Sequence, residues 1–176
     1  MSGLLTPRSR EANRFVMLAG TFIFRSVSMC LATLTLAAIV ACSSSWSAAE
    51  RQNAEHFSRA LEAAQKATQL TNKAQPGVIQ TGIEEILQYQ RLALQEAHFV
   101  HDSVLDKAHP QLRQHFRGEF EKGLELVIRS AEMGMASKVG PTSEQMNLAI
   151  TGTTLLNEWV EWQNAHRLEI HIPETR

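Results

Sequence analysis

Hydrophobic positions follow a helical period in four long segments of this 176-residue chain. In the second segment, from about residue 78 to residue 108, apolar residues recur at steps of three, four and seven, as one buried face of a helix requires. Breakers separate the segments at 75–77 (Gln-Pro-Gly), 109–110 (His-Pro) and 140–141 (Gly-Pro). Because no alternating strand pattern lies between them, the sequence predicts an all-α fold, a four-helix antiparallel bundle.

Capping signals indicate where three of these helices begin. Ser47 and Glu50 have the spacing of a capping box, in which side chains and backbone satisfy each other's hydrogen bonds, and Thr142 with Gln145 repeats that spacing before the fourth helix. Pro110 suits the first position of the third helix, because its missing N–H has no partner there. The alternative to a single-chain bundle is a pair of helical hairpins that completes its core only in a homodimer.

The first 41 residues differ from the rest of the chain in charge and hydropathy. They hold four of the 17 basic residues and one of the 18 acidic residues, and no charge lies between Arg25 and Glu50. An apolar run occupies 29–41, which is shorter than the roughly 20 residues that a spanning helix needs. This order is typical of a secretory signal peptide that starts at Met1 or Met17, and the alternative is an uncleaved anchor.

The end of the apolar run, Ile39-Val40-Ala41-Cys42, resembles the lipobox of bacterial lipoproteins. The resemblance covers the signal region only, and it implies cleavage after Ala41 and diacylation of the Cys42 thiol. Ser43 stands where an aspartate would indicate inner-membrane retention, so the resemblance favours the outer membrane if the host is Gram-negative. The alternative is ordinary cleavage after Ala49, which would release a soluble periplasmic protein.

These signals divide the chain into a signal peptide (1–41), a short tether (42–47), a helical domain (48–172) and a tail (173–176). Without the signal segment the net charge becomes −4, because that segment removes four basic residues and one acidic residue from a chain of net charge −1. A chain with this charge is not expected to bind nucleic acid. Since Cys30 would leave with the signal peptide and Cys42 would carry the lipid, we expect no disulfide.

Two histidines and an aspartate near the end of the second helix form a candidate ligand site. His98 and His101 are three residues apart, and Asp102 is four residues from His98, so one face of a continuous helix would present two imidazoles and a carboxylate. Imidazole is a ligand for zinc, copper, iron and nickel. The alternative is a pair of helix-edge histidines that bind neighbouring polar groups.

The end of the fourth helix carries the second candidate surface. Trp159 and Trp162 share a helical face, with His166 and Arg167 close behind. They either pack in the core or form a partner surface, where tryptophan is enriched. Non-covalent haem between His56 and His166 is a further hypothesis, since both would lie at one end of an antiparallel bundle, but the sequence requires no cofactor.

No catalytic motif is evident in the sequence. The carboxylates are scattered over helical faces, and there is neither a Gly-rich phosphate loop nor a nucleophile motif. The signal region and the helical pattern together predict a non-catalytic, lipid-anchored envelope protein that binds another protein or scaffolds an assembly. The alternative is a periplasmic bundle that binds a metal or small ligand through His98, His101 and Asp102.

Overall fold

A computed structural model describes residues 46–73, 79–137 and 140–173, all of whose regular elements are helical. The predicted all-α class is therefore confirmed, whereas the signal region and most of the tether lie outside the described residues. The elements are α1 (Ala48–Lys73), α2 (Ile79–Phe99), α3 (Asp102–Ala108), α4 (Leu112–His115), a π-helical segment (Phe116–Glu121), α5 (Lys122–Ala136) and α6 (Ser143–Ala165). Within these ranges, no helix combines the length and apolar character that crossing a membrane requires.

The predicted capping box at α1 is complete, whereas at α6 only the bond to the Thr142 side chain is present, and the buried Gln145 Oε1 has no hydrogen-bond partner among the described residues. At α1, the Glu50 N–H donates to Ser47 Oγ over 3.2 Å, and the Ser47 N–H donates to Glu50 Oε2 over 2.6 Å. At α6, Thr142 Oγ1 accepts from the Gln145 N–H over 3.1 Å. These bonds satisfy backbone donors that have no partner inside the helix.

The long helices pack as consecutive antiparallel pairs. The start of α1 meets the end of α2, where His56 Nδ1 lies 2.7 Å from Glu96 Oε2. The end of α5 meets the start of α6, where Ser130 Oγ donates to the Gln145 carbonyl over 2.9 Å. The α2–α5 pair is joined by Arg91 on α2 and Glu132 on α5, whose charged atoms are 2.6 Å apart.

The second predicted helix is not continuous, and this corrects the expected span from 78 to 108. It ends at Phe99 and resumes as α3 at Asp102. The Asn53 side chain on α1 donates to the Phe99 carbonyl and accepts from the His101 N–H, both over 2.7 Å. Because a buried side chain satisfies these backbone groups, the chain breaks its helix without a proline or glycine.

The third segment contains a π-helical turn between α4 and α5. Its buried residues recur at steps of four, and each such step turns about 40° too far around an ordinary α-helix. The wider π turn keeps the stripe facing the core. The large buried side chains are Leu112, Phe116, Phe120, Leu124 and Ile128. The helical period predicts a stripe of Leu112, Phe116, Phe120, Leu124, Val127 and Ala131, of which the first four are buried, and Ile128 takes the place expected for Val127.

Helices α5 and α6 approach closely where two glycines face each other. A Cβ atom on Gly152 would lie 2.9 Å from the Gly123 carbonyl oxygen, and a Cβ on Gly123 would lie 3.0 Å from the Gly152 carbonyl oxygen. Such separations are shorter than van der Waals contact, so the two backbones are this close because both side chains are hydrogen atoms.

The core contains aromatic rings from three parts of the chain. The Phe116 ring lies 5.1 Å from Phe57 on α1, 5.1 Å from Phe120, and 5.7 Å from Trp159 on α6. The helical period predicts Phe57, Leu61, Ala64 and Thr68 on one face of this alanine-rich helix, but the face that is buried shares only Phe57 with that row. Its buried apolar residues are Ala54, Phe57, Ala60, Ala63 and Ala67.

Candidate functional site

All seven histidines of the chain lie at one end of the helical domain, which we call the histidine end. This is where α1 begins, where α2 and α6 end, and where α3 and α4 lie. The histidines are His56, His98, His101, His109, His115, His166 and His171. Ring contacts join His56 to Phe99 and His109 to His166, and the His171 N–H donates to the Ala108 carbonyl. Chemistry that depends on imidazole is therefore confined to this end.

The three predicted ligands at the end of the second helix do not converge, because the helix breaks between them. His98 Nε2 lies 3.0 Å from Glu121 Oε1. His101 occupies the N-cap position of α3, makes no capping bond with its side chain, and is exposed. Asp102 binds the Arg117 guanidinium at 2.9 Å.

The structure instead brings His98 together with two glutamates. One ligand atom of each of His98, Glu121 and Glu125 lies within 4.8 Å of the other two. The Glu121 side chain is only 15% exposed, whereas His98 is 52% exposed. The cluster is therefore accessible to solvent on the His98 side and mostly buried on the Glu121 side. One imidazole and two carboxylates form a donor set that a divalent transition metal ion such as zinc accepts.

Basic side chains of the protein contact one carboxylate oxygen of each glutamate. Arg117 Nη1 lies 2.6 Å from Glu121 Oε2, and Lys122 Nζ lies 2.8 Å from Glu125 Oε2. In Glu121 this leaves Oε1 directed at His98. Partners of this kind orient ligating carboxylates, but their positive charge also opposes a metal ion nearby.

Arg117 connects the break in the second helix to the π-helical segment. Its guanidinium donates to the Ala97 carbonyl over 3.0 Å and also to the Val100 carbonyl, and it pairs with Asp102 and Glu121. Burial opposes its charge, but hydrogen bonds to Glu121 and Asp102 outweigh burial and raise the pKa of Arg117 above its ordinary value. This side chain therefore stays charged and supplies hydrogen-bond donors to the carbonyls of Ala97 and Val100, where α2 ends.

Trp162 lies between two histidine rings. The His115 ring stacks on it at 4.3 Å, the His166 ring stacks at 4.8 Å, and His109 approaches its edge at 5.4 Å. Its Nε1 atom is buried and has no hydrogen-bond partner among the described residues. Trp159 is 2% exposed and belongs to the core, so of the two tryptophans only Trp162 reaches toward the surface.

The remaining residues of the predicted partner and haem sites lie in separate settings. His56 pairs with Glu96 and packs at a tilt against the Phe99 ring, whereas His166 donates from Nδ1 to the Trp162 carbonyl over 2.9 Å. Within the described part of the chain, no contact joins His56 to His166. Arg167 is exposed in the turn that follows α6.

The first described residue, Trp46, is packed against α3. Its side chain is 8% exposed, and Lys107 Nζ lies 4.7 Å from the centre of its ring. Lys107 also binds Glu50 at 2.7 Å. The hydrogen bond from Lys107, followed by those from Ser47, lowers the pKa of Glu50 to about 2, so this carboxylate is charged at neutral pH. Trp46, which the sequence assigned to the tether, is thus part of the packed structure.

Two large apolar side chains are exposed at the histidine end. Phe99, the last residue of α2, is 51% exposed, and Leu168, in the turn after α6, is 71% exposed. Phe99 contacts His56 and Asn53 of α1, and Leu168 lies three residues before His171, whose N–H donates to the Ala108 carbonyl of α3.

A shallow groove between α1 and α2 offers little to a small ligand. Its volume is about 230 Å³, and its lining includes Arg59 and Glu96, which pair at 3.2 Å. Cavities that enclose drug-sized ligands are typically larger than about 300 Å³. We therefore assign no small-molecule site to this groove.

Sequence analysis did not identify Asn53, Arg117, Glu121 or Glu125 as site residues. Asn53 could have been noticed, since it is a polar residue beside Ala54 and Phe57 on the buried face of α1. Arg117 follows buried Phe116, and its i,i+4 spacing to Glu121 is visible in the sequence, but its other partners are 15 to 20 residues away and carry no local pattern. Comparison with protein-family models, with curated proteins and with solved structures finds no match to this chain.

Proposed function

We propose that this chain is a lipid-anchored protein of the bacterial cell envelope whose helical domain binds another protein or scaffolds an assembly without catalysis. One observation carries the proposal: Cys42, the last residue of the lipobox-like sequence, precedes packed Trp46 by four residues. A diacylated Cys42 would tie the folded domain to the bilayer through three serines, 43–45. Two acyl chains anchor a protein stably, whereas one does not.

The finer architecture that we propose is a four-helix antiparallel bundle. Its support is the order of packing, in which α1 pairs with α2, α2 with α5, and α5 with α6 in antiparallel fashion. Phe57 on α1 and Trp159 on α6 both contact Phe116, so a shared aromatic ring connects the first and last helices. A homodimer of such bundles is one form that the assembly could take.

The ion pairs at the histidine end support a binding role over catalysis. Arg117 is engaged with two carboxylates and two carbonyls, and Lys107 with Glu50 and the Trp46 ring. Charged groups that satisfy one another in this way hold backbone segments together.

We propose the periplasmic face of the outer membrane as the location, and a soluble periplasmic protein is the alternative outcome of the test.

Replacing the cysteine of the lipobox-like sequence tests the anchor. In cells fed a palmitate analogue, Cys42→Ser is expected to lose lipid label and to accumulate as precursor, because serine lacks the thiol that forms the thioether. The matched control is Cys30→Ser, which should label and mature as the unaltered chain does. Maturation of Cys42→Ser at the same position would mean that the lipobox interpretation is wrong.

Crosslinking in envelope fractions should also recover a specific neighbour or a second copy, and a partnerless monomer would contradict the binding role.

A metal-binding protein is the second candidate function, and the cluster of His98, Glu121 and Glu125 favours it. We expect purified protein to bind Zn²⁺ in a calorimetric titration, and His98→Ala to weaken binding about 10-fold or more. The control is His101→Ala, which removes the other histidine of the predicted set but lies outside the cluster. Equal binding by both variants, or no binding by the unaltered chain, would contradict this site.

A further inference from the structure

We propose that the histidine end of the domain faces the lipid bilayer and contacts its surface through Phe99 and Leu168. This orientation rests on the proposed anchor at Cys42, and it names a lipid surface as the partner of this end.

The reach of the tether limits how far this end can lie from the membrane. Four residue steps of fully extended chain span at most about 14 Å. Trp46 cannot extend that reach, because it is buried against α3 and held near Lys107. An acylated Cys42 therefore keeps Trp46, the start of α1 and the end of α3 that contacts Trp46 close to the headgroups.

Phe99 and Leu168 are suited to insertion between headgroups. Phe99 ends α2 and is 51% exposed, and Leu168 lies in the turn after α6 and is 71% exposed. Both side chains therefore project beyond the packed core. Transfer of an apolar side chain from water to an apolar environment lowers the free energy in proportion to the area that is buried. An end that is held at the interface thus removes from water two large apolar residues that the fold itself leaves exposed.

Paired charges lie at the same end of the domain. Lys107 contacts the Trp46 ring, and Arg167 precedes Leu168 in the chain. The carboxylates of Glu50 and Glu169 face Lys107 and His109, at 2.7 and 3.4 Å. Because these carboxylates have cationic or imidazole partners within the protein, their repulsion of lipid phosphates is reduced.

Tryptophan scanning in vesicles with brominated acyl chains tests the orientation. The lipidated mature protein is reconstituted in phosphatidylethanolamine with phosphatidylglycerol, with Leu168→Trp as the probe. Its matched control is Met135→Trp, because Met135 is also 51% exposed but lies near the end of α5, at the opposite end of the domain. Emission of the added tryptophan is taken as the difference from the unaltered chain, and circular dichroism confirms that both variants fold.

We expect brominated lipid to remove roughly half of the added emission in Leu168→Trp, as for a side chain within reach of the acyl boundary, and little in Met135→Trp. Equal quenching of the two variants, or stronger quenching at position 135, overturns the orientation. Intact mass separates the two proposals. A lipidated chain without differential quenching leaves the anchor standing and removes the orientation, whereas an unlipidated mature chain removes both.

Discussion

Replacing Arg117 by methionine is expected to lower the free energy of unfolding by about 3 kcal/mol. The guanidinium donates to two carbonyls at the end of α2 and to the carboxylates of Asp102 and Glu121. Methionine fills a similar volume but donates no hydrogen bond, so Glu121 and the two carbonyls would lose a charged partner. Glu121 is the most costly of these, because its side chain is only 15% exposed.

Urea unfolding of the full chain, followed by circular dichroism, measures this effect. Arg129→Met is the matched control, because Arg129 also forms an ion pair, with Glu144, but both side chains are more than 60% exposed. Exposed pairs contribute about 0–1 kcal/mol, so the control should unfold nearly as the unaltered chain does. Arg117→Lys should fall between the two, since lysine retains the charge without the planar fork. A loss of less than about 1 kcal/mol in Arg117→Met would show that the helix break is held by other contacts.

The elements that sequence analysis predicted correctly depend on residues close together in the chain. The capping boxes at Ser47 and Thr142 involve partners three residues away, and the first formed in full whereas the second formed one of its two bonds. The stripe through Phe116 and Phe120 follows from spacing within one helix. Local hydrogen bonding and a helical period are both visible in a single sequence, so these parts of the fold could be predicted.

The helix break at Phe99 could not be predicted by the same reasoning. The bonds that replace the helical ones come from Asn53, 46 and 48 residues away, and from Arg117, 17 to 20 residues away. No proline or glycine marks the position, and the apolar period continues through it to Val104 and Leu105. A break that tertiary contacts impose leaves no local signal.

The candidate site changed for the same reason. His98 was predicted as a ligand, and it is a member of the cluster found in the structure. Its expected partners assumed a continuous helix, and the break moved His101 and Asp102 away from it. Glu121 and Glu125 come from another segment, where the π-helical turn sets which residues face α2. Which glutamates of the third segment meet the second depends on that turn and on packing, neither of which the spacing of histidines reveals.

Replacing Phe116 by alanine is expected to lower the free energy of unfolding by about 4 kcal/mol, a larger loss than that for Arg117. Phe116 is fully buried and contacts Phe57, Phe120 and Trp159, so its ring joins α1, the third segment and α6. Alanine would leave a cavity at this junction, and rings of this size cannot relax into it without moving helices. Both the lost apolar burial and the cavity contribute to the expected effect.

Phe99→Ala is the matched control, because it makes the same chemical change at a residue that is 51% exposed and contacts only the His56 ring among the aromatic groups described. Its unfolding free energy should stay within about 1 kcal/mol of the unaltered chain. Phe116→Leu should lie between the two, since leucine retains most of the apolar volume. If Phe116→Ala cost no more than Phe99→Ala, α1 and α6 would not share a core through this ring. The four-helix bundle would then lose the contact that connects its first and last helices.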